Sequence, residues 1–522
     1  MSRSIFPAVL ALAVLACSWA QAAQPANVIG RDLAVIMNRP DLRSSQFGIA
    51  FYDLDAHRML FAYNAQKYFV AASTTKLLTE GTTLGLLGPD YRFTTNVYRT
   101  GDIDGTGTLH GDIVLRASGD PNLSQRVQPD GSLAFENEDH AYNGTAVPGD
   151  PLMAMREFAK QIAAHSIKRI TGRVIVDDSL FPDTSIEGGT GTVIAPVSVN
   201  DNVVDVTIGP GVNAGDPVRV SVSPQTAYVT IVNHATTGVN HTASTLQFGG
   251  DVEDAFGNHT LAISGSIPQG SPAKLYADAV SSPRRFGQVA LAQALRDAGV
   301  TVAEPLKDDP PNAMTFSSFY VPANIVATRV SPPISEDVKI TLKVSDNLHA
   351  AMMPYIWGAL VAHDSRDPLS AGFRLERGFF AGAGLNPLDI AQSDGEGANA
   401  YIRPAFMVRY LEYLSRQRYF DAVYRGLPVL GVDGTLAGIQ THAPAAGKVH
   451  AKTGTNGADD LLNARTMFLS AKGLAGYMTT KRGRRIAFCV YLNNFALPSG
   501  KDPSEPAGQV MGAMANAGYL DL

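Results

Sequence analysis

The sequence predicts an α/β (α+β) protein whose core domain is interrupted by a large, mainly β insert. Two observations predict this: helical and strand-like segments alternate near both ends of the chain, and a long Thr/Val/Ile-rich stretch with glycine turns separates them. Length is the third, because 522 residues exceed what one ordinary core organises.

In chain order, Arg3, an apolar run from Ile5 to Ala16 and the small-residue ending Ala20-Gln21-Ala22 form a secretory signal over residues 1–22. Its apolar core is too short to span a bilayer and no later run is longer, so no transmembrane anchor is expected. The expected location is periplasmic or secreted. Val14-Leu15-Ala16-Cys17 also has the form of a lipoprotein cleavage box, in which Cys17 would carry the lipid; cleavage near Ala22 is the reading taken.

Phe47 to Phe61 (FGIAFYDLDAHRMLF) reads as a strand hairpin, and Ser73 to Leu87 as a buried helix opening at Ser73 and ended by Gly88-Pro89. Gly81 and Gly85 lower the propensity of that helix and imply close packing against another element. Residues 99–327 form the insert, with strands in 166–179 and 202–209 and a helix over 286–298. Residues 23–98 and 328–522 form the interrupted domain, with helices in 334–361 and 403–416, a strand around Val449 and a hairpin flanking Lys481-Arg-Gly-Arg484.

With a net charge of −6 and Lys and Arg scattered, nucleic acid is not an expected partner. No Cys/His pattern has zinc-ligand spacing, so neither metal nor cofactor is expected. His57, His110, His349 and His450 read as surface or cross-strand residues. After signal removal Cys489 is the remaining cysteine; it sits in an apolar run and reads as a core residue.

A serine hydroxyl becomes an effective nucleophile when a neighbouring base takes its proton. Ser73 and Lys76, at i and i+3, share one helix face, and a lysine kept neutral by burial, by the helix N-terminus and by a second cation can be that base. Lys452 is the candidate second cation. Ser-x-x-Lys recurs at Ser271 to Lys274 and Ser-x-Asn at Ser198 to Asn200, but Ser271 lies in a polar Gly-Ser-Pro turn and Ser198 in a loop.

The ordered trio discriminates: Ser73-x-x-Lys76, Ser345-Asp-Asn347 and a single Lys452-Thr-Gly454. With Gly119-Asp-Pro-Asn-Leu123, Ser198-Val-Asn-Asp-Asn202 and Leu427 to Leu436, the chain resembles the class C low-molecular-weight penicillin-binding proteins, the D-alanyl-D-alanine carboxypeptidase/endopeptidase family. The resemblance implies a penicillin-binding/β-lactamase-like serine transferase domain with extra domains inserted between the first two motifs, here 272 positions apart. It implies Ser73 as nucleophile, Lys76 as its base and Ser345 as proton relay. It further implies Asn347 on the substrate amide, Lys452, Thr453, Gly454 and Thr455 around the terminal carboxylate, and the Ser73 and Thr455 N–H groups as oxyanion hole. Peptidoglycan stem peptides would be the substrate and β-lactam antibiotics covalent inhibitors.

Two departures stand out. Where the family usually shows Asp-Gly-Ser-Gly-Leu-Ser, this chain has Asp394-Gly-Glu-Gly-Ala-Asn399, and the segment Asn456 to Gly473 is about ten residues longer than the family's link. Both bear on substrate choice. The rival readings are a β-lactamase, against which the long insert argues, and a silent peptidoglycan-binding protein, against which Ser73 and Lys76 argue.

Overall fold

Alternation along one strand shows how the layers are built. In the computed structural model, which describes residues 28–182, 185–302, 316–462, 466–498 and 504–522, Phe488, Val490 and Leu492 share a core with Phe47, Ile49 and Phe51. Ala487, Cys489 and Tyr491 enter the opposite core with Ala50 and Tyr52. The expected signal segment and Cys17 lie outside the described residues.

These strands belong to a six-stranded sheet ordered Arg58–Tyr63, Gln46–Asp53, Arg485–Asn493, Thr466–Thr479, Val449–Asp459, with Phe495–Pro498 also pairing the fourth. All of its pairings are antiparallel. The helices Val28–Met37 and Gln509–Asp521 cover the first face. The helices Lys76–Leu87, Ile334–Lys343, Asn347–Ile356 and Pro404–Ser415 cover the second. Because residues 46–53 pair with 485–493, both ends of the chain build one sheet, and the long middle can leave it without breaking it.

The two helix glycines have a steric reason. A Cβ on Gly81 would lie 2.1 Å from the Tyr410 hydroxyl, and one on Gly85 2.4 Å from the Phe379 ring. The helix itself starts later than predicted: Ala72–Thr75 is a 3-10 turn and the α-helix begins at Lys76. Ala72 enters the turn at φ +48, a left-handed conformation that α geometry cannot continue. The helical stretch predicted over 334–361 is likewise divided, at Ser345, whose φ is +67.

Within the middle of the chain, Ile325–Val330, Thr94–Arg99, Ile113–Arg116 and Val174–Asp177 form a four-stranded sheet. Its apolar residues share a core with the helices Met153–Ala164 and Pro283–Asp297. The second helix starts three residues before the predicted 286, where Ser282 caps it and Pro283 opens it. The first was not expected, although Ala154, Met155, Phe158, Ala159 and Ile162 have helical spacing and are buried. Two three-stranded sheets complete the region: Arg219–Ser223, Val203–Gly209, Lys274–Ala279, and Val229–Asn233, His259–Ser264, Gln247–Glu253.

Candidate active site

The 3-10 turn carries Ser73 onto the edge strand Val449–Asp459, which holds Lys452 to Thr455. The approach is close enough to require glycine. A Cβ on Gly454 would stand 2.7 Å from the Ala71 carbonyl oxygen and 3.2 Å from the Ser73 nitrogen. Ser73, Thr453, Gly454 and Thr455 thereby wall one cavity of about 460 Å³ with Ser345 and Asn347. Of the eight candidates, Lys76 and Lys452 are fully buried behind that wall.

The polar groups converge on Ser345. Lys76 Nζ lies 2.9 Å from Ser73 Oγ and 3.4 Å from Ser345 Oγ, and also donates to Asn347 Oδ1. Lys452 Nζ donates to Ser345 Oγ at 2.8 Å and to the Thr453 carbonyl at 3.0 Å. Two ammonium groups therefore flank one hydroxyl. Burial brings Lys76 down to about 8 against the opposing charges of Glu396, Asp346, Glu187 and Asp394. Burial, then the repulsion of Lys76 and Lys472, holds Lys452 well below the usual lysine range. A proton can pass between Ser73, Lys76, Ser345 and Lys452 over these contacts.

With Lys76 as the base that the sequence resemblance implies, the neutral amine is required, and acylation is expected to rise with pH through about 8, the value for Lys76. Stopped-flow acylation by a chromogenic cephalosporin between pH 6 and 9.5 checks this; a rate flat across that range contradicts it.

Several lining residues escaped the sequence reading. Thr435 Oγ1 meets Thr453 Oγ1 at 2.7 Å, and Lys472, on the neighbouring strand opposite Thr455, donates to Thr455 Oγ1 at 2.7 Å. Tyr142, Gly188 and Gly189 reach the cavity from the middle of the chain. Thr435 sits in a stretch already noted for its resemblance; Lys472 is legible only once the pairing of its strand is known. Both departures do meet at the cleft, because Glu396 and Asn456 line the cavity and Asn456 Nδ2 donates to the Ala398 carbonyl at 3.1 Å.

Ser271 and Lys274 lie elsewhere, in a turn and a strand of the middle region. Ser198 is buried in its loop. Cys489 is buried and its thiol is pushed well up by burial, an inert core residue. The reading of His349 is corrected. It is fully buried, with Nδ1 2.9 Å from Asp337 and Nε2 3.2 Å from Asp201, and burial is overcome by Asp346 and Asp337 to hold it well above the usual histidine range. His57 and His110 are surface residues paired with Glu412 and Asp104, and His450, on the edge strand, stacks on Tyr424.

A buried ionic network joins His349 to the middle of the chain. Arg126 donates to Asp139 and Asp201 at 2.6 Å each, and the His140 ring sits 2.9 Å from Asp201 and 2.8 Å from Asp205. Asp139, His140 and Asp201, and likewise Asp201, Asp346 and His349, stand close enough to hold a metal ion. The Arg126 guanidinium and the two imidazoles already supply positive charge there.

Residues 29–516 match the model of the D-Ala-D-Ala carboxypeptidase 3 (S13) family. The chain belongs to that family. It is a serine-type D-Ala-D-Ala carboxypeptidase, a hydrolase with the mixed α/β fold of its relatives. A D-alanyl-D-alanine carboxypeptidase of Actinomadura sp. (strain R39) is 24% identical over 490 residues, 90% of this chain and 81% of the relative. The D-alanyl-D-alanine carboxypeptidase DacB of Haemophilus influenzae is 22% identical over 87% of this chain and 86% of its own length. The crystal structure of penicillin binding protein 4 (dacB) from Haemophilus influenzae superposes with a TM-score of 0.71 at 19% identity, covering 94% of this chain and 99% of that one. The S13 fold therefore extends over the middle region as well as the six-stranded sheet. Among the described residues no helix is long and apolar enough to cross a membrane.

Proposed function

We propose that this S13 carboxypeptidase cleaves peptidoglycan stem peptides through an acyl-enzyme on Ser73. Ser73 Oγ adds to the carbonyl carbon of the scissile amide while its proton passes to Lys76 Nζ. Ser345, held by both lysines, delivers a proton to the leaving amine as the C–N bond breaks. Water then hydrolyses the Ser73 ester and restores the hydroxyl. Asn347 holds the substrate amide, Thr453 and Thr455 take the terminal carboxylate with Lys452 adding its charge from behind them, and the Ser73 and Thr455 N–H groups face the developing oxyanion.

The observation that carries this reading is the 2.9 Å contact between Lys76 Nζ and Ser73 Oγ, made by a buried lysine brought down to about 8. Digesting purified peptidoglycan and separating the products tests it. Free D-Ala, or monomers released from cross-linked dimers, are the expected products, lost in Ser73→Ala. Covalent inhibition by β-lactams follows from the same chemistry, and one solved structure of the Haemophilus relative is described as complexed with a novel beta-lactam. The N-terminal signal read from the sequence supports a periplasmic or secreted location, where that substrate lies.

Glu396 tunes substrate choice in this reading. Burial raises its carboxyl to about 8, with Glu187 and Asp394 adding to the rise and Lys76 and the Gly188 N–H opposing it. Below that value the group is neutral, so it repels an anionic substrate terminus only as pH rises. The preference for amidated over free-carboxylate stems is expected to grow at least about threefold from pH 7 to 9, and to vanish in Glu396→Ser. Turnover ratios on the two peptides at both pH values decide it; a ratio unchanged by pH, or by the substitution, contradicts it.

A further inference from the structure

Ser345 has an unusual backbone. Its φ of +67 lies in the left-handed region that a serine rarely occupies, and it breaks the chain between the helices Ile334–Lys343 and Asn347–Ile356. Such a conformation persists only where its surroundings impose it. Asp346 contributes by capping the second helix, accepting from the His349 N–H at 3.0 Å.

The second support comes from far away in sequence. The Tyr142 hydroxyl donates to the Ser345 carbonyl at 2.8 Å and accepts from the Asn347 N–H at 3.1 Å. One oxygen thus spans the break, satisfying a backbone acceptor on one side and a backbone donor on the other. Its ring belongs to the cavity wall.

Tyr142 is itself held firmly. It ends the 3-10 turn His140–Tyr142, whose N-cap Asp139 accepts from the Ala141 N–H at 3.0 Å and which stops at Asn143, φ +62. The His140 ring is clamped between Asp201 and Asp205, and Asp201 also contacts His349, two residues beyond Asn347. One buried network therefore fixes both the turn that presents Tyr142 and the helix start that it grips.

We infer that Tyr142 is a positioning residue of the peptidase: its hydroxyl locks the Ser345–Asn347 backbone so that Ser345 Oγ stays between Lys76 and Lys452. The inserted region thereby completes the active site. The inference rests on the reading of Ser345 as the proton relay to the leaving amine, and it makes a prediction that a general loss of packing does not. An amine must be protonated to leave, whereas a thiolate leaves without a proton. Loosening the relay slows amide cleavage and spares thioester cleavage.

The experiment compares kcat/KM of the full protein and of Tyr142→Phe on an acyl-D-Ala-D-Ala peptide and on the corresponding thioester, with Ser345→Ala in parallel. Tyr142→Phe is expected to lose about tenfold or more on the amide and less than about threefold on the thioester, at an unchanged melting temperature. Added to Ser345→Ala, it is expected to cost nothing further on the amide, since both act through one group. If Ser345→Ala slows both substrates equally, the relay reading fails and this inference with it. If Ser345→Ala discriminates between them and Tyr142→Phe does not, or if the two losses add, the inference alone is overturned.

Discussion

Ser73→Ala is expected to abolish covalent labelling by a fluorescent penicillin, and Lys76→Arg to slow it by roughly a hundredfold or more. A lactam carbonyl beside a carboxylate offers the reacting group of a D-Ala-D-Ala terminus, and its capture needs nucleophile, base and oxyanion hole together. Lys76 meets Ser73 Oγ at 2.9 Å and burial brings it down to about 8, so neutral amine is available near neutral pH. A guanidinium keeps its charge at any such pH and cannot take the serine proton. Ser271→Ala leaves labelling intact, because Ser271 sits in a turn outside the cavity. Mapping the labelled peptide by mass spectrometry decides the matter. An adduct on Ser271, or full labelling of Ser73→Ala, overturns the assignment of the nucleophile.

Replacing Arg126 by Met is expected to destabilise the protein by about 3–5 kcal/mol, because removing one partner of a buried ionic cluster leaves the others with too little opposite charge. Arg126 is 1% exposed and faces Asp139, Asp201 and, at 3.9 Å, Asp346. Without it those buried carboxylates keep His140 and His349 as counter-charges, both held above the usual histidine range, despite burial, by the surrounding aspartates. Calorimetry is the measurement, with a melting temperature at least about 5 °C lower expected from a loss of that size. Asp201→Asn added to Arg126→Met removes one of the stranded charges and is expected to recover part of the loss. A melting temperature for Arg126→Met within about 1 °C of the parent shows that the cluster adds no net stability.

The chemistry was legible because it is written in short, local patterns. Ser73 and Lys76 are three residues apart, Ser345 and Asn347 two, and Lys452 to Thr455 are contiguous, so each motif survives as a string. The sheet hairpins and most of the helix over 283–297 were legible for a similar reason, since alternation and helical apolar spacing are read within a few residues; the cap Ser282 and the opening Pro283, which set the start three residues earlier, were not read. Where a local signal competed with a nearby backbone constraint it misled: Ala72 and Ser345, both left-handed, moved or broke helices whose apolar spacing ran straight through them. His349 was misread because its partners Asp201 and Asp337 are distant in the chain, and nothing in its own neighbourhood distinguishes a buried imidazolium from an exposed one.

By itself, then, the sequence determined the mixed α/β class, the family and the reaction type, all carried by residue identity and the short-range spacing of its motifs. The tertiary structure alone decided that Tyr142 from the middle region grips Ser345 and Asn347, that Lys472 lies opposite Thr455 on the adjoining strand, and that Glu396 is buried beside Lys76. These depend on strand register and on contacts between segments up to about three hundred residues apart. Register and burial also set the protonation of the two lysines, because removal from water, rather than residue type, is what brings a lysine within reach of neutrality.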